Sequence, residues 1–181
     1  GFLAWVATVL VALDEFRLLC ALRRGDWGVE GINARVEAIL GEAGLIAPTT
    51  AWYEGRPVLV TRNDYGLGLM NGDVGLALKV RVPGASGPAE VVRVFFQTET
   101  GLRSVSPSRL GEVETVYAMT VHKSQGSEFT HTALVLPDAA SPVLTRELVY
   151  TGITRAKAWF TQVGPAPGLV DGALKAPTVR A

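Results

Sequence analysis

Residues 117–128 read Tyr117-Ala118-Met119-Thr120-Val121-His122-Lys123-Ser124-Gln125-Gly126-Ser127-Glu128. The pattern predicts an apolar strand over 115–118 that gives way to a short helix over 120–125. Such a junction leaves unpaired backbone N–H groups and the positive end of the helix dipole at the helix start, which suits an anion. Thr120 can cap that helix, and its hydroxyl can donate to a phosphate. His122 and Lys123 add a polar donor and a charge. In the turn that follows, Gly126 permits a positive φ, and Glu128 is placed to accept from a sugar hydroxyl. The bland reading of Thr-x-His-Lys alone is a capped surface helix with solvated side chains. The full run is much more specific.

A second stretch, Leu148-Val149-Tyr150-Thr151-Gly152-Ile153-Thr154-Arg155-Ala156-Lys157, follows after the strand 133–136. It predicts a helix from Thr145 to Lys157, with Thr145 as N-cap and Leu148, Val149 and Ile153 facing inward. The last turn then carries Arg155, and residues 159–163 form a final strand. On its own, Arg155 reads as an arginine favourably placed at a helix C-terminus. A Gly-x-x-x-x-Gly-Lys-Ser/Thr phosphate loop occurs nowhere in the sequence.

Upstream, residues 1–13 read as a buried helix that stops at Asp14-Glu15. It is too short for the roughly 20 residues that span a bilayer, and it lacks the basic flank of a signal peptide. Residues 15–22 are a short apolar run before the Gly turn Arg23-Arg24-Gly25-Asp26, hence a buried strand. Ile32, Val36, Ile39 and Leu40 recur at helical spacing, up to Gly41 or Gly44. Strand, loop and helix in this order indicate an α/β domain. Residues 52–113 change character. Strands at 57–61, 74–82, 91–96 and 102–105 alternate with Gly/Pro turns, including Asn71-Gly72-Asp73 and a flexible tip over 83–88. That pattern predicts a small β-barrel inserted into the α/β domain. Residues 165–181, with three prolines, read as a weakly ordered tail.

The chain has 181 residues, of which 48% are hydrophobic, so a substantial core is expected rather than a disordered tail. Seventeen basic and 17 acidic side chains cancel, so any nucleic-acid site must be a local basic track. The single cysteine, Cys20, excludes a disulfide within the chain and fits a reducing cytoplasm. It reads as a small buried hydrophobe. No His/Cys/carboxylate cluster indicates a metal site.

Residues Thr120–Phe129 resemble motif V of superfamily 1 DNA helicases, and Tyr150–Lys157 resemble motif VI. Within that superfamily the RecD-type helicases are most similar. The further matching stretches are Leu18–Arg23, Trp52–Val58, Arg62-Asn63-Asp64, Asn71–Gly75 and Val143–Tyr150. The resemblance runs from about residue 15 to 163 and is loosest over 83–100. It implies an α/β fold: a RecA-like (P-loop NTPase-type) second motor domain with a small SH3-like β-barrel insertion. The parts are then 1–50 and 114–164 for the RecA-like domain, 51–113 for the insertion and 165–181 for the tail.

For the site, the resemblance implies that Arg155 reaches the γ-phosphate of ATP. It implies the same for a motif IV arginine after the first strand, which is Arg23 or the adjacent Arg24. Gln125, Gly126 and Glu128 would contact nucleotide. Thr120, His122, Lys123 and Asn63 would contact single-stranded DNA, although Asn63 reads equally well as a turn former. A missing N-terminal RecA-like domain would supply the Walker lysine and the Mg2+ ligands, so this fragment alone should not hydrolyse ATP. In the RecD family the motor moves 5′ to 3′. RecD itself works with RecB and RecC in exodeoxyribonuclease V, in double-strand break repair and recombination. The alternatives are a helicase-like domain of another machine, such as a conjugative relaxase, and a non-enzymatic DNA-binding or docking module.

Overall fold

The computed structural model describes residues 1–164. The expected tail at 165–181 lies outside the described residues. The chain divides into two compact units, one made of 1–11 and 36–116, the other of 12–35 and 117 onward. The boundaries fall inside helix α1 (Phe2–Leu13) and helix α2 (Val29–Glu42). Among the described residues no helix is long and apolar enough to cross a membrane.

The α/β unit is built on a parallel sheet of four strands: β1 (Phe16–Cys20), β7 (Ala118–Thr120), β8 (Phe129–Val135) and β9 (Ala156–Val163), in the order β7-β1-β8-β9. Parallel strands covered on both faces read as continuous apolar runs. Leu19, Cys20, Leu134 and Val135 are accordingly buried. Helix α3 (Arg146–Thr154) joins β8 to β9. Thr145 caps it, its hydroxyl accepting from Leu148 N–H at 3.2 Å. Val149 and Gly152 face inward, whereas Ile153, expected inside, is exposed. The reason is Gly152. A Cβ there would lie 3.3 Å from Leu134 Cδ2, so the helix packs on β8 along its glycine face and Ile153 turns away.

Two further expectations need correction in this unit. No helix forms over 120–125; residues 121–126 are consecutive turns. Six residues that end at a glycine with φ +82° cannot repay helix nucleation. The predicted strand at 115–118 is two strands in different sheets. β6 (Val113–Thr115) pairs antiparallel with β2 (Pro57–Val60), while β7 pairs parallel with β1, and the chain changes sheets at 116–117.

The second unit is an antiparallel sheet of five strands. β2 (Pro57–Val60), β3 (Val74–Gly84), β4 (Gly87–Thr98), β5 (Gly101–Val105) and β6 lie in the order β5-β4-β3-β2-β6. Val58, Val60, Leu69, Ala77, Val94, Phe96 and Val105 form its core. Gly75 lies opposite Phe96, whose ring sits 2.5 Å from where a Cβ would be. The ring thus fills the space left by the glycine. β3 and β4 stay paired up to Gly84 and Gly87. The expected flexible tip is therefore a tight hairpin turn, helped by a φ of +118° at Gly87.

Candidate functional site

In a parallel sheet all carboxyl ends share one edge, and loops leaving that edge converge. β1 and β7 end in register, Cys20 opposite Thr120, and Val121 N–H donates to Cys20 O at 3.0 Å. Two loops therefore leave the carboxyl edge side by side. One carries Arg23 and Arg24, both exposed, and the other carries Thr120, His122 and Lys123. The Thr120 hydroxyl accepts from Lys123 N–H at 3.0 Å, and Ser124 donates from its buried hydroxyl to Val121 O at 2.6 Å. These bonds fold the chain into a compact turn that holds His122 exposed and Lys123 half-buried. The cap-like bond predicted for Thr120 is present, but around a turn instead of a helix.

The segment then crosses to the amino edge, where β8 starts at Phe129 opposite Ala156 of β9. Arg155 arrives at this edge as the C-cap of α3. Its guanidinium donates to Ser127 O from Nη1 at 3.2 Å, to Thr151 O from Nε at 3.3 Å and to Thr154 Oγ1 from Nη2 at 3.3 Å. Phe129 N–H donates to Arg155 O at 2.8 Å. The half-buried guanidinium is thus fixed against the turn that exposes Gln125, Gly126 and Glu128. An arginine has five N–H donors, so these three bonds leave part of the fork for a ligand.

The structure brings Arg155 together with Gln125–Glu128, and Arg23 together with Thr120, His122 and Lys123. It does not bring Arg23 to Arg155, because seven residues of β8 separate the two edges, roughly 20 Å of strand. Asn63 belongs to the other unit, and its carboxamide is committed to its own loop. Oδ1 accepts from Asn71 N–H at 2.7 Å and Nδ2 donates to the Tyr65 hydroxyl at 3.3 Å. His131 is held by contacts within the sheet. Its Nε2 lies 2.8 Å from Thr161 Oγ1 and its ring meets Phe16 edge-on. Tyr53 is buried and donates to Glu37, and Arg56 stacks on Trp52, whereas Tyr65 is exposed. No group of three or more His, Cys, Asp or Glu able to hold a metal exists among the described residues.

Two features escaped the sequence reading. Gly28 and Gly31 lie under the loop that carries Arg23. A Cβ on Gly28 would stand 2.3 Å from Arg24 O, and one on Gly31 2.5 Å from Gly25 O. The dense glycines of 25–31 were a visible signal of such close packing. The other is Arg17, buried in β1. It donates to Leu13 O and to Asp14 and lies 5.2 Å from the centre of the Phe129 ring. Burial pulls its guanidinium below the ordinary arginine value, and Asp14 opposes that shift. An arginine inside an apolar run gives no sequence signal of this burial.

Residues 115–161 match the UvrD-like helicase C-terminal domain. The RecBCD enzyme subunit RecD of Mycobacterium tuberculosis is 48% identical over 155 residues, covering 86% of this chain and 26% of that protein. RecD of Mycolicibacterium smegmatis is 44% identical over 179 residues, covering 95% of this chain and 29% of that protein. The chain thus spans about a quarter of the length of these relatives. Among solved structures, the Pif1 helicase from Bacteroides in complex with ADP-AlF3 and single-stranded DNA superposes with a TM-score of 0.50 at 17% identity. That match covers 88% of this chain and 44% of that one. At that identity the likeness is one of fold.

Proposed function

We infer that this chain belongs to the RecD family of helicases and is the second motor domain of an ATP-dependent 5′-to-3′ DNA helicase. Residues 1–50 and 114–164 are then its RecA-like part and 51–113 an SH3-like insertion. The observation that carries the proposal is the 3.2 Å bond from Arg155 to Ser127 O. It joins the stretch 150–157 to the stretch 120–129, the two that resemble helicase motifs, in one rigid corner.

The chemistry suits a γ-phosphate. A permanently charged planar fork, already oriented by three bonds, stabilises charge on a transferring phosphoryl group with little reorganisation. Gln125, Gly126 and Glu128 stand beside it for the nucleotide. Thr120, His122 and Lys123 at the carboxyl edge would grip the backbone of single-stranded DNA. Arg23 is a cation of that second group, and the γ-phosphate role implied for it draws no support from the geometry. ATP bound with Mg2+ supplies the phosphoryl group. The magnesium ligands and the Walker lysine would come from the remaining three quarters of such a protein. In the cytoplasm its partners would be RecB and RecC.

The test is Arg155→Ala in the full-length protein. Turnover of ATP should fall by about 10³-fold or more, with nucleotide still bound. Undiminished turnover, together with weaker DNA binding in Lys123→Ala, would replace the motor with a DNA-binding or docking module.

A further inference from the structure

We propose that the antiparallel unit carries an anion site of its own, built to take a phosphate group. The inference stands on that unit alone and does not rest on the role of Arg155. A cavity of about 220 Å³ is lined by Leu67, Arg93, Arg103, Ser104, Ser106 and Arg109, with Gly66 at its side. That volume far exceeds the roughly 30 Å³ of a single water. Three arginines are among the residues that line this space, reaching it from both faces of the edge pair β4–β5, and no carboxylate lines it. Arg93, Arg103 and Arg109 make no ion pair among the described residues. Asp64, two residues before Gly66, accepts from Leu67 N–H at 3.0 Å.

Three like charges repel unless something holds them. Here the fold holds two of them. Arg93 donates to Ser104 Oγ at 2.9 Å and to Ser104 O at 3.2 Å, which fixes it across β4 and β5. Arg103 donates to Leu67 O at 2.8 Å, and its Cζ would lie 3.0 Å from a Cβ on Gly68, where φ is +66°. The loop 64–69 therefore clamps one guanidinium and the strand pair the other. With five donors on each fork, most N–H groups remain for a ligand, and the Ser106 hydroxyl lines the same space. Convergent forks that share one multiply charged, oxygen-rich anion are the usual means of phosphate recognition. A single carboxylate would leave most of these donors unmatched. The phosphate can come from a nucleic-acid backbone or from a free polyphosphate such as a nucleotide tail.

The experiment uses the 181-residue chain, with fluorescein-labelled oligo-dT read by anisotropy and tripolyphosphate titrated calorimetrically. The variants are Arg109→Gln, which disturbs no intramolecular bond, and the pair Arg93→Gln with Arg103→Gln. Far-ultraviolet circular dichroism checks that each variant folds. A backbone site predicts that both variants weaken oligo-dT binding at least five-fold, that tripolyphosphate competes, and that the salt slope falls by about 0.7 per lost phosphate contact. A free-anion site predicts that tripolyphosphate binding is lost in the variants while oligo-dT binding is unchanged. If neither ligand distinguishes folded Arg109→Gln from the unmodified chain, the proposal is overturned.

Discussion

Cys20 shows how much a single residue's surroundings decide. It sits on the central strand β1 with no exposed surface, and burial pushes its thiol up to about 12 from 9.0. The neutral thiol is the form the fold accepts. Because the folded value lies above the unfolded one, the stabilisation is complete below about pH 9 and is lost as pH rises toward 12. Urea unfolding should therefore give a constant stability through neutral pH that declines above about 9, with a shallower decline in Cys20→Ala. An equal decline in both would mean that other groups set the alkaline limit. Arg17 makes the opposite point, since its charge is held inside the same strand. Replacing a buried ion by an apolar side chain of similar length is often neutral or stabilising. Arg17→Met should then keep the melting temperature. Arg17→Ala should lower stability by about 2–4 kcal/mol, because it opens a cavity beside Phe129.

At the scale of elements, the candidate site depends on how α3 and the loop after β1 are anchored. Thr145 satisfies one of the orphan N–H groups at the start of α3. Thr145→Ala should cost about 1 kcal/mol in thermal unfolding, with the loss concentrated in hydrogen exchange of 146–154. Gly28 carries a stricter constraint, because its neighbour at 2.3 Å is backbone and cannot rotate away. Gly28→Ala should cost about 1–3 kcal/mol and displace the loop of Arg23. The same elements show where sequence is sufficient. The Thr145 cap, the buried runs of β1 and β8 and the β-rich character of 57–105 were readable, because capping, strand burial and Gly/Pro turns are local. The missing helix at 120–125, the sheet change at 116–117 and the exposure of Ile153 were not. The last two are decided by partners distant in the chain: β1 for β7, β2 for β6 and Leu134 for Gly152. Arg155 was singled out through its neighbours in sequence. Its bond to Ser127 O spans 28 residues and needed the fold.

For the whole molecule, electrostatics set a limit that the motifs do not reveal. Net charge is zero, so long-range attraction toward DNA is weak, and the DNA binding proposed for the chain would come from a few contacts placed on one edge or in one cavity. A strand that neutralises a few charges should bind with a small salt dependence, about −0.7 in log K against log salt for each phosphate contacted. Lys123→Ala should flatten that slope by about 0.7 and weaken oligo-dT binding at every salt concentration. His122→Ala should also weaken binding, because it removes an exposed side chain able to hydrogen-bond a phosphate oxygen. The same chain should release no phosphate from ATP, with or without DNA, since no phosphate-cradling glycine loop is present in its sequence. Anisotropy over a range of salt concentrations and a phosphate-release assay check both statements. An unchanged slope in Lys123→Ala would remove the carboxyl edge from the DNA path, leaving the arginine-lined cavity of the antiparallel unit to account for any binding that remains.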